Sequence, residues 1–435
     1  MDAAESAPFA PYYQDSCRER VNAPPLRDKH RAAVVVVGGG LAGVCTALGL
    51  AERGVRDVVL VEANEIGHGA SGRNGGFVFG GYSLGAQGLI DRLGLERART
   101  LYQATVDGIE LLRRRIKRYR IDCEPCESGV LWANWFRKPD ILLKQQQLMA
   151  DAFGVNWELF DRQRLAERVS SPRYSGALFE PQAFHVQPLA MVRGLARAAT
   201  ELGVRVHQHS SVIGMTKGKD GIRVLGREFD IQTERLVIAG GGYLEGHFQP
   251  LQRAMLPIAT YVMVTEPLGE RLDQCLHTRS AIYDTRFAFD YYRPLADQRI
   301  LWGGRISIRD RSADDLARLL ARDVSRVFPQ LGKVKVDSAW SGAMSYARHE
   351  MPQIGSLRED LWYAQAFGGH GLVPTTVAGE TLASCLAGEA TPLRELFSEF
   401  GLENVHRGSG LGLLAAQAKY SWLQGCDWWR EIRGG

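Results

Sequence analysis

Four consecutive valines, Val34–Val37, run straight into Gly38-Gly39-Gly40, and that junction restricts the fold more than any other feature of the 435 residues. A short β-branched run with no polar face is a strand covered on both sides. Gly38-x-Gly40-x-x-Gly43 follows directly; Leu41 to Arg53 then has a helical pattern stopped by Gly54, and Val58–Val61 is a second buried strand ending in Glu62. Strand, glycine turn, helix and strand together form a dinucleotide-binding unit. Gly38 permits the tight turn, Gly40 lets backbone approach a pyrophosphate, and Gly43 lets the helix close on the strand. The helix start supplies partial positive charge to phosphates. Glu62, nineteen residues past Gly43, is placed to accept hydrogen bonds from ribose hydroxyls, and an acid there disfavours NADP. The expected contacts in this unit are Gly38, Gly40, Leu41, Ala42, Gly43, Glu62 and Ala63. Ala32 to Ala51 carries no charge and is long enough to span a bilayer, but the glycines divide it into strand, turn and helix.

The fingerprint alone does not separate NAD from FAD. The stretch GHGASGRNGGF, Gly67 to Phe77, does. Its glycines let backbone lie close to a long ligand, where a ribityl chain and flavin ring would pass. Gly69, Ala70, Ser71, Arg73, Asn74, Gly75 and Gly76 are the expected contacts, with Arg73 and Asn74 hydrogen-bonding the ligand. A mobile glycine loop is the alternative.

GxGASGRNGG after a strand ending in ExxxxG resembles the D-amino-acid-oxidase-like superfamily of FAD amine oxidases, and within it the gamma-glutamylputrescine oxidoreductase branch. Tyr12-Tyr13 and Ala23-Pro-Pro-Leu26 resemble the leader of that branch. The resemblance implies an α/β fold: a discontinuous Rossmann-like FAD domain of glutathione-reductase type, plus an α+β substrate domain with an antiparallel sheet. The expected blocks are 30–100, 170–245 and 336–400 for FAD, 101–169 and 246–335 for substrate, and a helical tail at 401–435. A strand near Val212 contacts adenine in such folds; a plain core strand is the other reading. Arg235–Leu244 resembles the glycine turn under FAD, giving Gly240 and Gly241. Trp340–Ser356 resembles the superfamily's W-x-G segment, giving Gly342. Gly368-Gly369-His370-Gly371 then opens a helix at Leu372 and Thr375, which the resemblance places at the flavin N1/O2 edge, where a helix start favours negative charge.

The candidate catalytic residues are His370, Tyr291, Tyr292, Arg293 and Arg305. Tyr283 and Phe289 lie on the same strands, where aromatics could cage an amine or serve as core. The arginines could anchor a carboxylate, as could Arg73, Arg348 and His349. Sarcosine oxidases of the same superfamily bond their flavin through a cysteine where this chain has Met344, so FAD is expected to be non-covalent. Their substrate-gripping lysine after GHG is replaced by His370-Gly-Leu-Val373, and no lysine occurs between Lys219 and Lys333 to match their oxygen-activating one.

Bulk properties fit. A net charge of +4 without a dense basic stripe gives no case for nucleic acid. Arg113–Arg115, Lys117 and Arg118 read as the wet face of a helix starting near Leu101. Seven scattered cysteines do not suggest a disulfide framework, and Cys123-x-x-Cys126 lacks the second pair a metal site needs. No signal peptide is seen and the cytoplasm is expected, with a possible homo-oligomer. The tail helix, with Trp422, Trp428 and Trp429, is expected to pack on the body or a partner rather than on a membrane. The reading is FAD-dependent oxidation of a primary or secondary amine in polyamine catabolism. Hydride passes to flavin N5, and the imine is hydrolysed to an aldehyde. Oxygen becomes hydrogen peroxide. The alternatives are an amino-acid or cyclic imino-acid enzyme passing electrons to a quinone, and a flavin-binding protein without turnover.

Overall fold

The computed structural model describes residues 11–244, 248–307, 311–405 and 410–433; residues 245–247, 308–310, 406–409 and 434–435 of the expected blocks lie outside these. The strand Asp28–Val37 is central to a first sheet. It pairs in parallel with Val58–Val61, Val36 opposite Leu60, and on its other side with Phe229–Ile238. Arg205–His207 continues the sheet past Val58–Val61, while Leu361–Gln365 and Gln353–Arg358 continue it past Phe229–Ile238. The crossover helix Leu41–Glu52 buries every residue from Leu41 to Leu50. It lies so close to the helix Leu372–Leu386 that a Cβ on Gly379 would stand 2.5 Å from the Cβ of Cys45.

The second sheet has eight strands in the order Val336–Tyr346, Leu256–Thr265, Ile300–Ser307, Tyr291–Pro294, Ala281–Asp284, Val130–Ala133, Gly176–Glu180 and Glu158–Asp161. It is antiparallel except where Ala281–Asp284 runs parallel to Val130–Ala133. One face packs against the helix Ala313–Val327 over a core containing Trp302, Tyr292 and Phe328.

Three expected boundaries differ. Gly176–Glu180 and Val336–Tyr346 fall in blocks expected with FAD, yet both are strands of the second sheet, because Val130 pairs with Glu180 and Tyr261 with Ser341. Leu95–Arg118 overlaps the expected substrate block, yet Leu101, Ile109, Leu112 and Ile116 pack into the core of the first sheet. The same helix corrects the reading of its basic run. Arg115 falls on the buried stripe one turn after Leu112 and is only 1% exposed. Its guanidinium spans Glu52 of the crossover helix, at 2.5 Å, and Glu380 of Leu372–Leu386. It therefore ties three helices with one buried cation.

A second buried cation ties the second sheet to the glycine loop. Arg293, on Tyr291–Pro294, donates from Nε to Gly75 O at 2.8 Å and from Nη2 to Val186 O at 2.9 Å. Its Nη1 faces His185 Nδ1 at 3.3 Å, and His185 Nε2 lies 2.8 Å from Arg279 O. The ring is thus fixed with Nε2 donating and Nδ1 accepting. Burial, then the adjacent guanidinium, push His185 down to about 3. No helix among the described residues is long and apolar enough to cross a membrane.

Two outcomes follow from these buried charges. Arg115→Met removes the buried cation shared by Glu52 and Glu380, leaving Glu380 with Arg53 at 3.0 Å, and should lower unfolding free energy in urea by about 3 kcal/mol, with Glu380→Gln in the same chain recovering part of the loss. Because the folded state refuses a proton on His185 that the unfolded chain accepts, stability should fall as pH drops below about 6.5, by roughly 1.4 kcal/mol per pH unit for this one group. His185→Gln keeps a donor and an acceptor, so its melting temperature should fall less steeply with acidification than that of the unaltered protein.

Candidate functional site

A cavity of about 850 Å³ opens between the two sheets, near the upper end of the range for small-molecule and cofactor sites. At one end it is built from backbone. Gly38 turns at φ +117°, and a Cβ there would lie 2.5 Å from Ala239 O. The helix Leu41–Glu52 begins with no acid in its first turn and no side-chain cap at Gly40. Ser71 Oγ accepts from Leu41 N at 2.8 Å, joining the glycine loop to the helix start. Glu62 accepts from Gly39 N at 2.6 Å and Asn64 N at 2.9 Å, and burial still pushes its carboxyl upward. The helix Leu372–Leu386 aims a second uncapped N-terminus at the cavity through Gly371, Leu372 and Thr375.

The glycine loop is rigidly held. Ala70–Gly72 forms one 3₁₀ turn. Asn74 Nδ2 donates to Ala70 O at 2.9 Å and Ser71 O at 3.0 Å, while Asn74 Oδ1 accepts from Gly76 N at 2.8 Å. Asn74 lines the cavity, but its amide is committed to the loop, which corrects the expectation that it reaches for the ligand. Arg73 is buried, lines the cavity and donates from Nε to His68 O at 2.7 Å.

The other end is aromatic. Phe77, Phe79, Tyr283, Phe289 and Tyr291 line it, with Phe77 edge-on to Tyr291 at 5.7 Å and Phe79 stacked on Tyr283 at 5.5 Å. Arg305 joins them through a β-bulge. Thr260 pairs with Ile306 and Tyr261 with Gly304, so Arg305 is the extra residue, at φ +62°. A bulge of this kind re-aims a side chain. Asp323 takes Nε at 2.8 Å and Nη2 at 2.6 Å, leaving Nη1 outside that pair.

Most expected site residues line this one cavity: Gly38, Gly40, Leu41, Ala42, Glu62, Ala63, Gly69–Gly75 apart from Gly72, Val212, Gly240, Gly241, Gly342, Gly368, Gly369, Gly371, Leu372 and Thr375, with Tyr291 and Arg305. Five do not. Gly43 and Gly76 are packing glycines, whose Cβ would stand 2.0 Å from Gly38 O and Val186 O respectively. Tyr292 points to the opposite face from Tyr291, since neighbouring strand residues alternate. It stacks on Trp302 at 4.3 Å and donates to Tyr174 Oη at 3.2 Å. Arg293 is the tie between the second sheet and the glycine loop described above. The His370 ring packs edge-on to Phe79 at 4.7 Å rather than lining the cavity, and burial pushes it down to about 4, so it is neutral at pH 7. Arg348 and His349 line a separate surface cleft with Arg92 and Glu403. Sequence reasoning missed Phe77, Phe79, Thr260 and Tyr243. The alternation Phe77-Val-Phe79 directly after the glycine loop was the available signal for two of them.

These residues fit FAD. Two uncapped helix starts without acids suit a pyrophosphate and the electron-rich edge of a flavin. Glu62 suits a ribose, and a Cβ on Gly241 or Gly371 would meet nothing within 4 Å, leaving bare backbone toward the cavity.

Residues 33–385 match the model of the family described as FAD dependent oxidoreductase. The chain is 35% identical over 381 residues to gamma-glutamylputrescine oxidoreductase of Escherichia coli, covering 87% of this chain and 89% of that one. It is 29% identical over 425 residues to the probable oxidoreductase OrdL of Haemophilus influenzae, covering 96% and 97%. Its fold is that of glycine oxidase from Geobacillus kaustophilus (TM-score 0.69, 21% identity, covering 86% of this chain and 99% of that one). L-proline dehydrogenase from P. horikoshii has the same fold (TM-score 0.70, 18% identity, covering 85% and 98%). A bare-backbone cradle, an aromatic chamber joined to it and a family match over most of the length lead to one conclusion: the chain belongs to the FAD-dependent oxidoreductase family, and FAD is its cofactor.

Proposed function

We propose that the chain oxidises a primary or secondary amine of the gamma-glutamylputrescine kind, giving an imine that water hydrolyses to an aldehyde, with oxygen reduced to hydrogen peroxide. The observation that carries this reading is the continuity of the glycine cradle with a chamber walled by Phe77, Phe79, Tyr283, Phe289 and Tyr291. The similarity to gamma-glutamylputrescine oxidoreductase supports the substrate class. FAD, when bound, supplies the two-electron acceptor for a hydride from the carbon beside nitrogen.

The chain's own residues perform the rest. The aromatic wall excludes water and packs against the apolar chain of the neutral amine. The same dry wall disfavours the ammonium form, so the amine enters neutral, its proton left to bulk water, and no dedicated base is needed. His370, neutral at pH 7, places no like charge beside the amine, so the dryness of the wall is what disfavours the ammonium. Arg305 Nη1 is placed to take a carboxylate at the far end of an acidic substrate, while Asp323 fixes the rest of the guanidinium. Met344 lines the cavity where covalently flavinylated relatives carry cysteine, which supports non-covalent FAD.

Two measurements test this. A side chain on Gly75 would meet the Tyr291 ring at 2.7 Å. Gly75→Val should therefore abolish flavin retention while leaving far-ultraviolet circular dichroism unchanged; normal flavin content in that variant would sink the assignment of the loop. Anaerobic addition of polyamines, glutamylated polyamines and amino acids to the yellow protein should bleach the flavin with a glutamylated or related amine, and air should restore the colour with one peroxide per turnover. Return of colour only on adding a quinone would replace oxygen as acceptor. Absence of bleaching by every amine would remove the proposed reaction.

A further inference from the structure

The helix Leu411–Ile432 contributes nothing to the cavity lining, yet it grips the loop that shapes the aromatic chamber. That loop joins Ala281–Asp284 to Tyr291–Pro294. Arg286 closes it from inside: its N and Nε each donate to Asp284 Oδ1 at 2.9 Å, and its Nη2 reaches Asp284 and Asp290 at 2.5 Å each. Asp290 N donates to Asp284 Oδ2 at 3.0 Å. The next residue outward, Phe287, is held from the far end of the chain. Its N donates to Asp427 Oδ2 at 2.7 Å, and its ring meets that of Tyr420 at 5.6 Å. One turn beyond Asp427, Glu431 accepts from Trp135 Nε1 at 3.1 Å and pairs with Arg173 at 2.5 Å. The Trp135 ring carries Arg286 at 3.5 Å and Arg173 at 3.8 Å. Tyr420, Asp427 and Glu431, seven and four residues apart, share one helix face.

Apart from the Tyr420–Phe287 ring contact, these contacts are polar and directional. Leu411, Leu414, Trp422, Trp428, Trp429 and Ile432 are 53–68% exposed, and Tyr420 is the only residue of the helix that is buried. An element that buries so little apolar surface adds little to the core but can fix a loop in place. The loop's product is the placement of Tyr283, Phe289 and Tyr291.

We propose that the C-terminal helix is a positioning element of the substrate chamber, with Asp427 and Glu431 holding the loop 284–290 so that Phe289 and Tyr291 close around the substrate. In its substrate readout the proposal rests on the amine oxidation above; in its structural readout it does not. The test compares full-length FAD-loaded protein with Asp427→Ala and Asp427→Asn. The alanine removes the acceptor for Phe287 N, and the asparagine keeps one. All three forms should hold FAD with the same visible spectrum. Asp427→Ala should raise by about five- to tenfold the amine concentration that half-reduces the flavin without air, with the limiting reduction rate changed less than about twofold, as expected for loss of one charge-assisted hydrogen bond. Asp427→Asn should restore most of the affinity. Hydrogen exchange at residues 284–291 should quicken in the alanine variant and not in the asparagine variant. Unchanged exchange in Asp427→Ala would overturn the proposal, as would a loss of limiting rate at unchanged half-saturation or a loss of FAD. If no amine reduces even the unaltered protein, the proposed reaction fails, and the exchange comparison alone decides whether the helix positions the loop.

Discussion

Three successive carbonyls in the glycine loop are each held by a side chain from a different part of the chain. Trp340 Nε1 donates to Arg73 O at 2.9 Å, Tyr13 Oη to Asn74 O at 2.7 Å and Arg293 Nε to Gly75 O at 2.8 Å. The physical need is plain. A segment stripped of side chains so that a ligand can lie on it has nothing of its own to pack, and glycine loses more conformational freedom on ordering than any other residue. The loop can be rigid only if other elements grip its backbone. The N-terminal helix Pro11–Ser16 supplies Tyr13, fully buried and edge-on to Trp340 at 5.3 Å; the second sheet supplies the other two. The FAD cradle is thus finished by residues outside the nucleotide-binding unit.

The same dependence explains how the two ends of the cavity differ. The cofactor end is made of amides, helix starts and glycines, where almost any added atom meets backbone: a Cβ on Gly38 lies 2.5 Å from a carbonyl and one on Gly43 lies 2.0 Å from another. The substrate end is made of side chains on strands at 281–284, 291–294 and 300–307 and on Phe77–Val78. Its one charged member among the described residues, Arg305, owes its direction to a bulge and a positive φ, a local strain held by the bidentate contact to buried Asp323.

How far the sequence revealed all this depended on range. The strand, turn, helix and strand at 28–61 were legible because glycine, valine and a terminal acid act within thirty residues. The alternating strands at 256–307 and the helix start at Leu372 were legible for the same reason. Direction was not. Tyr291 and Tyr292 looked equivalent, and only the pairing with Gly303 and Trp302 sets one toward the cavity and the other into the core. Asn74 looked like a ligand contact because its bonds to Ala70, Ser71 and Gly76 exist only once the 3₁₀ turn has formed. Arg115 sat in a run of basic residues that reads as solvated, and its two acids lie 63 and 265 positions away.

Arg293 shows why such residues are hard to assign by composition and important once found. By type it is an obvious carboxylate anchor. By position it is a structural cation, spending its guanidinium on Gly75, Val186 and His185. It also sits two residues from Tyr291, on the same strand. A shift of that strand to accommodate substrate would pull on the carbonyl of Gly75, and a shift of the glycine loop would pull on the chamber wall. Cofactor and substrate ends therefore share one buried ion with no flexible joint between them. That favours a chamber whose shape is built into the fold together with the cradle.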